Sequence, residues 1–202
     1  MNNPLHMPGY RVNEYRLVVP LSEALQEKVT HIRKKLYEKF KITFPFQIKP
    51  SLTVLTCHAY ERMEPRLMER LQQVALGFQP FSIALQNYSA YPTHTIYIDV
   101  VNKSPFNDLV KALKPLSSLI KIPGHDPHYI KEPHLLVAQK LKPFQFISMW
   151  MELEHSQFSG RCIADGMILL KRSALNSRYE VVRRMEFMSL PMQVKQGELF
   201  GL

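Results

Sequence analysis

The chain has 202 residues, of which 46% are hydrophobic and 21% are charged, and this composition is typical of one compact globular domain. Its formal charge of +9 and pI near 9.6 favour polyanionic partners such as RNA, DNA or nucleotides, unless the basic surface serves only solubility. The composition excludes a disordered chain. No run reaches the roughly 18 apolar residues of a membrane span and residues 1–16 lack an apolar signal core, so we expect a cytoplasmic protein.

The first half of the chain alternates strands and helices. After a loose arm predicted over residues 1–12, the β-rich run Glu14–Pro20 predicts a strand. Apolar residues then recur at helical spacing from Leu21 to Phe40, which predicts an amphipathic helix with a basic, solvated face that includes Arg33. The elements predicted next are a strand over Leu52–Cys57, a helix over Glu64–Leu76, and strands at Phe81–Leu85 and Thr95–Val101.

The second half predicts three further strands and two helices. A helix begins at Ser104-Pro105 and ends near Pro115, and a loop rich in Pro, Gly and His then leads to a strand over His134–Gln139. The next helix begins at Lys142-Pro143, and two closing strands follow at Cys162–Leu170 and Tyr179–Met188. The predicted buried residues of this second helix are Phe144, Ile147, Trp150 and Met151. Cys57 and Cys162 lie in apolar runs and are predicted to be free buried thiols.

Two segments share one pattern, in which a proline precedes a polar residue and a hydrophobic strand. The first, QIKPSLTVLTCH, places the proline before Ser51, and the second, YIKEPHLLVAQKL, places it before His134. Residues i and i+2 of a strand point to the same face, so each segment presents a pair of side chains together. The strands and helices intermix along the chain, which favours a sheet-based α+β or α/β domain with pseudo-two-fold halves.

These two segments resemble the paired His-x-Thr motifs of the 2H phosphoesterases, which include RNA 2′,3′-cyclic phosphodiesterases and the so-called 2′-5′ RNA ligases. The element order over about residues 14–190 is similar to theirs. The resemblance implies a bilobal α+β fold in which two antiparallel sheets line a central cleft and the helices lie outside. It also implies one domain over residues 1–202, with a C-terminal tail at residues 191–202.

In that family one histidine takes a proton from water or a ribose hydroxyl, and the other protonates the leaving oxygen. The threonine hydroxyls donate hydrogen bonds to the phosphate, and no metal or organic cofactor is required. The resemblance therefore assigns catalytic roles to His134 and Thr53. The substrate-binding candidates are Ser51, Lys49, Tyr129 and Lys131.

The chain departs from the family pattern at one position of each motif. Ser51 stands where the family has its first histidine, and Leu136 stands where it has its second threonine. Serine does not titrate near neutral pH, so one proton carrier is absent, and such a group contributes on the order of 10²–10⁴-fold in rate. Leu136 lacks the hydroxyl donor. Phosphate binding is therefore easier to retain than turnover.

Three functions stay open at this stage. The first is a protein that binds RNA ends or nucleotide phosphates with weak or no hydrolysis. The second is an active cyclic phosphodiesterase in which His94, His125 or His128 replaces the missing histidine. His58 is not expected to do so, because a regular strand points it away from the face of Ser51 and places it roughly 23 Å away.

The third function is that of a non-catalytic adaptor. The tail segment Gln196–Phe200 resembles the Gln-x-x-Leu-Phe peptides that bind bacterial sliding clamps, although two apolar residues in a tail can also simply pack onto the domain. We expect a monomer.

Overall fold

The structure is a computed structural model that describes residues 9–42, 49–173 and 178–190. The strands of this part are β1 (Val12–Pro20), β2 (Ser51–Tyr60), β3 (Phe81–Tyr91), β4 (Thr95–Val100), β5 (His128–Tyr129), β6 (His134–Ala138), β7 (Ser159–Ala164), β8 (Gly166–Arg172) and β9 (Glu180–Glu186). The helices are α1 (Glu23–Phe40), α2 (Glu64–Gly77), α3 (Ser104–Leu113), α4 (Ser117–Ile120) and α5 (Pro143–Leu153).

The strands form two antiparallel sheets, which confirms the predicted α+β fold. Sheet A has the order β5-β2-β1-β8-β9, and sheet B has the order β6-β4-β3-β7. Strands β7 and β8 lie on either side of Asp165 but belong to different sheets. The prediction of one strand over Cys162–Leu170 was therefore wrong. The apolar pattern continues across Asp165, and only the crossing between sheets reveals the break.

The two sheets contain matching units. One unit is β1–α1–β2, and the other runs from β4 through α3 and α4 to β6. In each unit two neighbouring antiparallel strands are joined by a helical connection. Each unit also has a β-bulge at the residue that follows its motif, Val54 in β2 and Val137 in β6. Ser51 and His134 therefore occupy equivalent positions, three residues before their bulges.

The helical connections are exchanged between the sheets. Helix α1 leaves sheet A and packs against β6 and β7 of sheet B, while α3 and α4 leave sheet B and pack against β2 of sheet A. On α1, Arg33 Nε donates a hydrogen bond to the Leu136 carbonyl oxygen (3.1 Å), and Tyr37 Oη donates to the Val137 carbonyl oxygen (2.7 Å). These bonds satisfy acceptors along β6, which is the edge strand of sheet B.

Arg33 is buried, so its predicted place on a solvated face was wrong. Helical periodicity counts arginine as a surface residue, and it carries no signal for carbonyl groups that need a donor. Arg33 supplies that donor with a charged group, which makes a stronger hydrogen bond than a neutral one.

Three of the four residues predicted on the buried face of α5 were wrong, whereas the fourth, Trp150, is half-buried and packs against the core. The helix buries Phe146, Met149 and Leu153, whereas Phe144, Ile147 and Met151 are 64%, 57% and 68% exposed. Both sets recur at spacings of three and four residues, because α5 is apolar nearly all round. Periodicity alone could not choose between the two faces.

Smaller differences concern the ends of elements. Strand β1 begins at Val12, inside the predicted arm, and the two-residue strand β5 was not predicted. Cys57 and Cys162 are both free thiols, as predicted; Cys57 is buried and Cys162 is half-buried. The tail segment Gln196–Phe200 lies outside the described residues. None of the described helices is both long and apolar enough to cross a membrane.

We predict that Arg33→Ala lowers the free energy of unfolding by about 2 kcal/mol, because it removes the buried guanidinium that donates to the Leu136 carbonyl. Urea denaturation followed by circular dichroism measures the change. The control is Lys34→Ala on the exposed neighbouring position, which we expect to stay within about 0.5 kcal/mol of the parent. Equal effects for the two variants would contradict a structural role for the Arg33 bond.

A candidate phosphate site at the start of two strands

The two motif strands lie against each other where the sheets meet. Strand β2 begins at Ser51 and strand β6 begins at His134. Within each motif the first and third residues are half-buried and the middle residue, Leu52 or Leu135, is fully buried. We call the set Ser51, Thr53, His134 and Leu136 the paired-strand site.

His134 is held in one orientation by its own loop. Its Nδ1 atom lies 2.9 Å from the Glu132 carbonyl oxygen. A carbonyl can only accept a hydrogen bond, so Nδ1 carries the proton and the lone pair of a neutral ring is on Nε2. The ring also contacts Tyr97, at 4.9 Å between centroids, and meets Tyr91 edge-on at 5.6 Å.

A charged network supports the segment before His134. Asp99 is the cross-strand partner of His134, and the Lys103 ammonium lies 3.5 Å from the Asp99 carboxylate and 2.9 Å from that of Glu132. The hydrogen bond to Glu132 raises the pKa of Lys103, so this lysine stays charged. Lys103 thereby joins β4 to the loop whose carbonyl orients His134.

Sequence reasoning missed this support. Tyr97 and Asp99 alternate in the segment TIYIDV and thus share one face of β4. That alternation is a usable signal, but it points to His134 only once β4 is known to pair with β6.

The other half of the paired-strand site carries hydroxyl groups. Ser51 Oγ donates to the Lys49 carbonyl oxygen at 3.3 Å, and Thr53 lies two residues along the same face. Lys49 and Lys131 are exposed beside the two strand starts. The site therefore offers one imidazole, two hydroxyls and nearby positive charge, a set that suits a phosphate.

Tyr129 does not join this site, which corrects its place among the substrate-binding candidates. It pairs with the buried Leu55, and its hydroxyl lies 2.9 Å from Ser117 Oγ and donates to the Leu113 carbonyl oxygen at 3.4 Å. Tyr129 therefore points towards α3 and α4. Directly paired residues of neighbouring strands point to the same face, so Tyr129 lies on the core face of sheet A together with Leu55.

His58 shares the face of Ser51 and Thr53, contrary to the prediction from parity. The bulge at Val54 inserts one residue, so the face carrying Ser51 and Thr53 continues with Thr56 and His58. His58 is nevertheless far from the motif residues, as predicted, because it lies five residues, or about 16 Å, beyond Thr53. Its ring stacks on that of His125, with centroids 4.2 Å apart. Burial and the nearby His125 lower the pKa of His58.

The two remaining loop histidines also lie away from the motif positions. His128 pairs with Thr56, about 10 Å along β2 from Thr53. His94 is exposed in the turn between β3 and β4, and its carbonyl accepts a hydrogen bond from the Leu141 amide at 3.1 Å.

Beside His58, Glu14 forms the centre of a small polar cluster on β1. Its carboxylate accepts hydrogen bonds from Arg172 and Tyr179. Burial alone would raise the pKa of Glu14, but the hydrogen bonds from Tyr179 and Arg172 hold it below its ordinary value. Across the described residues, no group of three or more His, Cys, Asp or Glu side chains is placed to hold a metal ion.

Comparisons with known proteins add a family and a fold. Residues 20–176 match the family model of the 2′-5′ RNA ligase superfamily. No curated protein matches the sequence. Similar solved structures include TT0787 of Thermus thermophilus, with 16% identity, a TM-score of 0.62, and coverage of 87% of this chain and 98% of that one. They also include E. coli LigT complexed with 3′-AMP (12% identity, TM-score 0.63, coverage 88% and 98%) and with ATP (12%, 0.60, 87% and 98%).

We predict that Glu14→Gln makes stability less sensitive to acid. The pKa of Glu14 is lower in the folded state than in the unfolded state, so its stabilising effect is complete above about pH 4.5 and is lost as the pH falls further. Urea denaturation between pH 7 and pH 3 should show a smaller loss for the variant than for the parent. The matched control is Glu69→Gln, an exposed position in the middle of α2 that should keep the parent's profile. Parallel profiles for Glu14→Gln and the parent would contradict the prediction.

Proposed function

Because the chain belongs to the 2′-5′ RNA ligase superfamily of 2H phosphoesterases, we propose that its paired-strand site binds a terminal phosphate of RNA or a nucleotide and hydrolyses it weakly or not at all. One observation carries the proposal. Ser51 and His134 occupy equivalent positions before matching bulges, and of these two side chains only the imidazole can act as a general acid or base.

The binding half of the proposal follows from the groups present. Protonated His134 donates from Nε2 to a phosphate oxygen, and the Thr53 and Ser51 hydroxyls supply neutral donors. Lys49 and Lys131 add positive charge at the rim of the site, and the whole chain has a charge of +9. LigT, a structural neighbour, has been crystallised with 3′-AMP and with ATP, which supports a nucleotide as the ligand class.

The catalytic half of the proposal follows from the groups missing. Hydrolysis of a cyclic phosphate needs one group that takes a proton and another that gives one, and the second carrier is absent at Ser51. Leu136 places an apolar side chain where a hydroxyl would stabilise the phosphate oxygens. Replacement histidines lie about 10 Å and 16 Å from Thr53 along β2, beyond the reach of a direct hydrogen bond.

We predict that restoring the family residues raises turnover. The double variant Ser51→His/Leu136→Thr should hydrolyse 2′,3′-cyclic AMP about 10²–10⁴-fold faster than the parent, because it regains both a proton carrier and a donor. Chromatographic measurement of the AMP produced gives the rate. The control is the same variant with His134→Ala, which should return to the parent's rate. A parent that already turns over at the rate of the double variant would contradict the proposed loss of catalysis.

We predict that His134→Ala weakens 3′-AMP binding by about tenfold or more, because a charged hydrogen bond to phosphate is lost. Calorimetric titration at low and high salt measures the affinity and its electrostatic part. The matched control is His155→Ala, at a position whose side chain is 89% exposed beyond α5. If the two variants bind 3′-AMP equally well, His134 is not part of the phosphate site.

A further inference from the structure

The face of sheet A that turns away from α2, α3 and α4 continues well beyond the paired-strand site. We call it the open face of sheet A. Beyond Thr53 its central side chains are Thr56, His58, Glu14, Arg16, Leu170 and Arg172. These side chains are half-buried, while most of the alternate residues of the same strands are buried on the side of the helices. The open face is therefore a polar, partly basic surface joined directly to the proposed phosphate site.

Arg16 lies in the middle of this face with an unsatisfied donor. Its Nε atom is buried and has no hydrogen-bond partner among the described residues, and its guanidinium lies 4.5 Å above the Tyr179 ring. Most buried polar groups in proteins have a partner, so this donor indicates an acceptor that the described residues do not supply. Glu14 forms an ion pair with Arg172. The three side chains Glu14, Arg16 and Arg172 together therefore carry one net positive charge, which is that of Arg16.

The ring pair His58–His125 ends the face with an aromatic surface. Gly124 takes a φ of +81°, and the His125 amide donates to the Ile122 carbonyl oxygen at 2.9 Å, so the turn brings His125 back over β2. His125 is exposed and its ring is tilted by 33° to that of His58. An exposed aromatic ring beside a basic groove is the arrangement on which single-stranded nucleic acids stack their bases.

We propose that a single-stranded RNA segment lies along the open face of sheet A. Its terminal phosphate occupies the paired-strand site, a backbone phosphate accepts from Arg16, and one base stacks on the His58–His125 pair. The proposal rests on the proposed function for the position of the terminal phosphate.

The geometry also sets the length of the ligand. Thr53 and His58 are about 16 Å apart along β2, and a stacked strand advances about 3.4 Å for each nucleotide. A segment of about five nucleotides therefore joins the two ends of the face, whereas a mononucleotide occupies only one of them. Oligonucleotides should bind more tightly than mononucleotides for this reason.

The test compares two probes, 3′-AMP and hexa-adenylate with a 3′-phosphate, by calorimetric titration at several salt concentrations. The parent should bind the hexamer at least tenfold more tightly than 3′-AMP. Arg16→Gln and the double variant His58→Ala/His125→Ala should each weaken hexamer binding about tenfold and leave 3′-AMP binding unchanged. Arg16→Gln should also reduce the salt slope by about one, since it removes one phosphate contact, whereas the histidine variant should keep the slope.

Matched controls come from the exposed helices. Arg70→Gln on α2 removes the same charge and His155→Ala removes an exposed imidazole, and both should bind the hexamer like the parent. Thermal unfolding checks that each variant is folded. Hexamer binding that is no tighter than 3′-AMP binding, or that neither open-face variant weakens, would overturn the proposal. If His134→Ala leaves 3′-AMP binding intact while Arg16→Gln weakens the hexamer, the phosphate site fails and the RNA path along sheet A is supported.

Discussion

The paired-strand site depends on the hydrogen bonds that α1 donates to the edge of β6. Strand β6 has five residues and only one neighbouring strand, β4, so its outer carbonyls need other donors. Arg33 and Tyr37 supply them at Leu136 and Val137, the third motif position and the bulge that follows. Because α1 directly connects β1 to β2, the same helix links both motif strands. Such a link holds the two halves of the paired-strand site in contact, as the proposed phosphate binding requires.

The two bulges determine which side chains of β2 and β6 occupy equivalent positions and which share one face. They place Ser51 at the position that is equivalent to His134 in the pseudo-two-fold arrangement, and the proposed absence of a second proton carrier rests on this match. They also turn His58 to the same face as Thr53, about 16 Å away. One strand thus carries a hydroxyl site at its start and an aromatic pair near its end, with Arg16 on the neighbouring strand between them. That arrangement suits a ligand with repeated phosphates and bases better than it suits a single nucleotide.

Much of the fold could be predicted from local pattern. The spacing from Leu21 to Phe40, the Pro-led starts of β2 and β6 and the glycine that ends α2 are signals within one element, and the structure contains each of these elements. The wrong predictions concern features that depend on contacts between elements distant in sequence. The burial of Arg33 depends on carbonyls a hundred residues away, and the break at Asp165 depends on a crossing between sheets.

The site divides in the same way. The positions of Ser51, Thr53, His134 and Leu136 at two strand starts followed from the motifs. Only the pairing of β5 with β2 shows that Tyr129 lies outside the site, and only the bulge at Val54 shows that His58 lies on the open face. Tyr97, Asp99 and Lys103 could not be assigned to His134 before β4 was known to be its neighbour.

In the proposed function, His134 is the proton-carrying group of a phosphate site in which Ser51 replaces the second carrier. Long-range ¹H–¹⁵N NMR of the histidine rings tests it most directly, with His134→Ala assigning the signals. We expect a proton on Nδ1 of His134 in the free protein and a change in its Nε2 signal when 3′-AMP is added. A proton on Nε2 of neutral His134, together with an Nε2 signal that saturating 3′-AMP leaves unchanged, would contradict it.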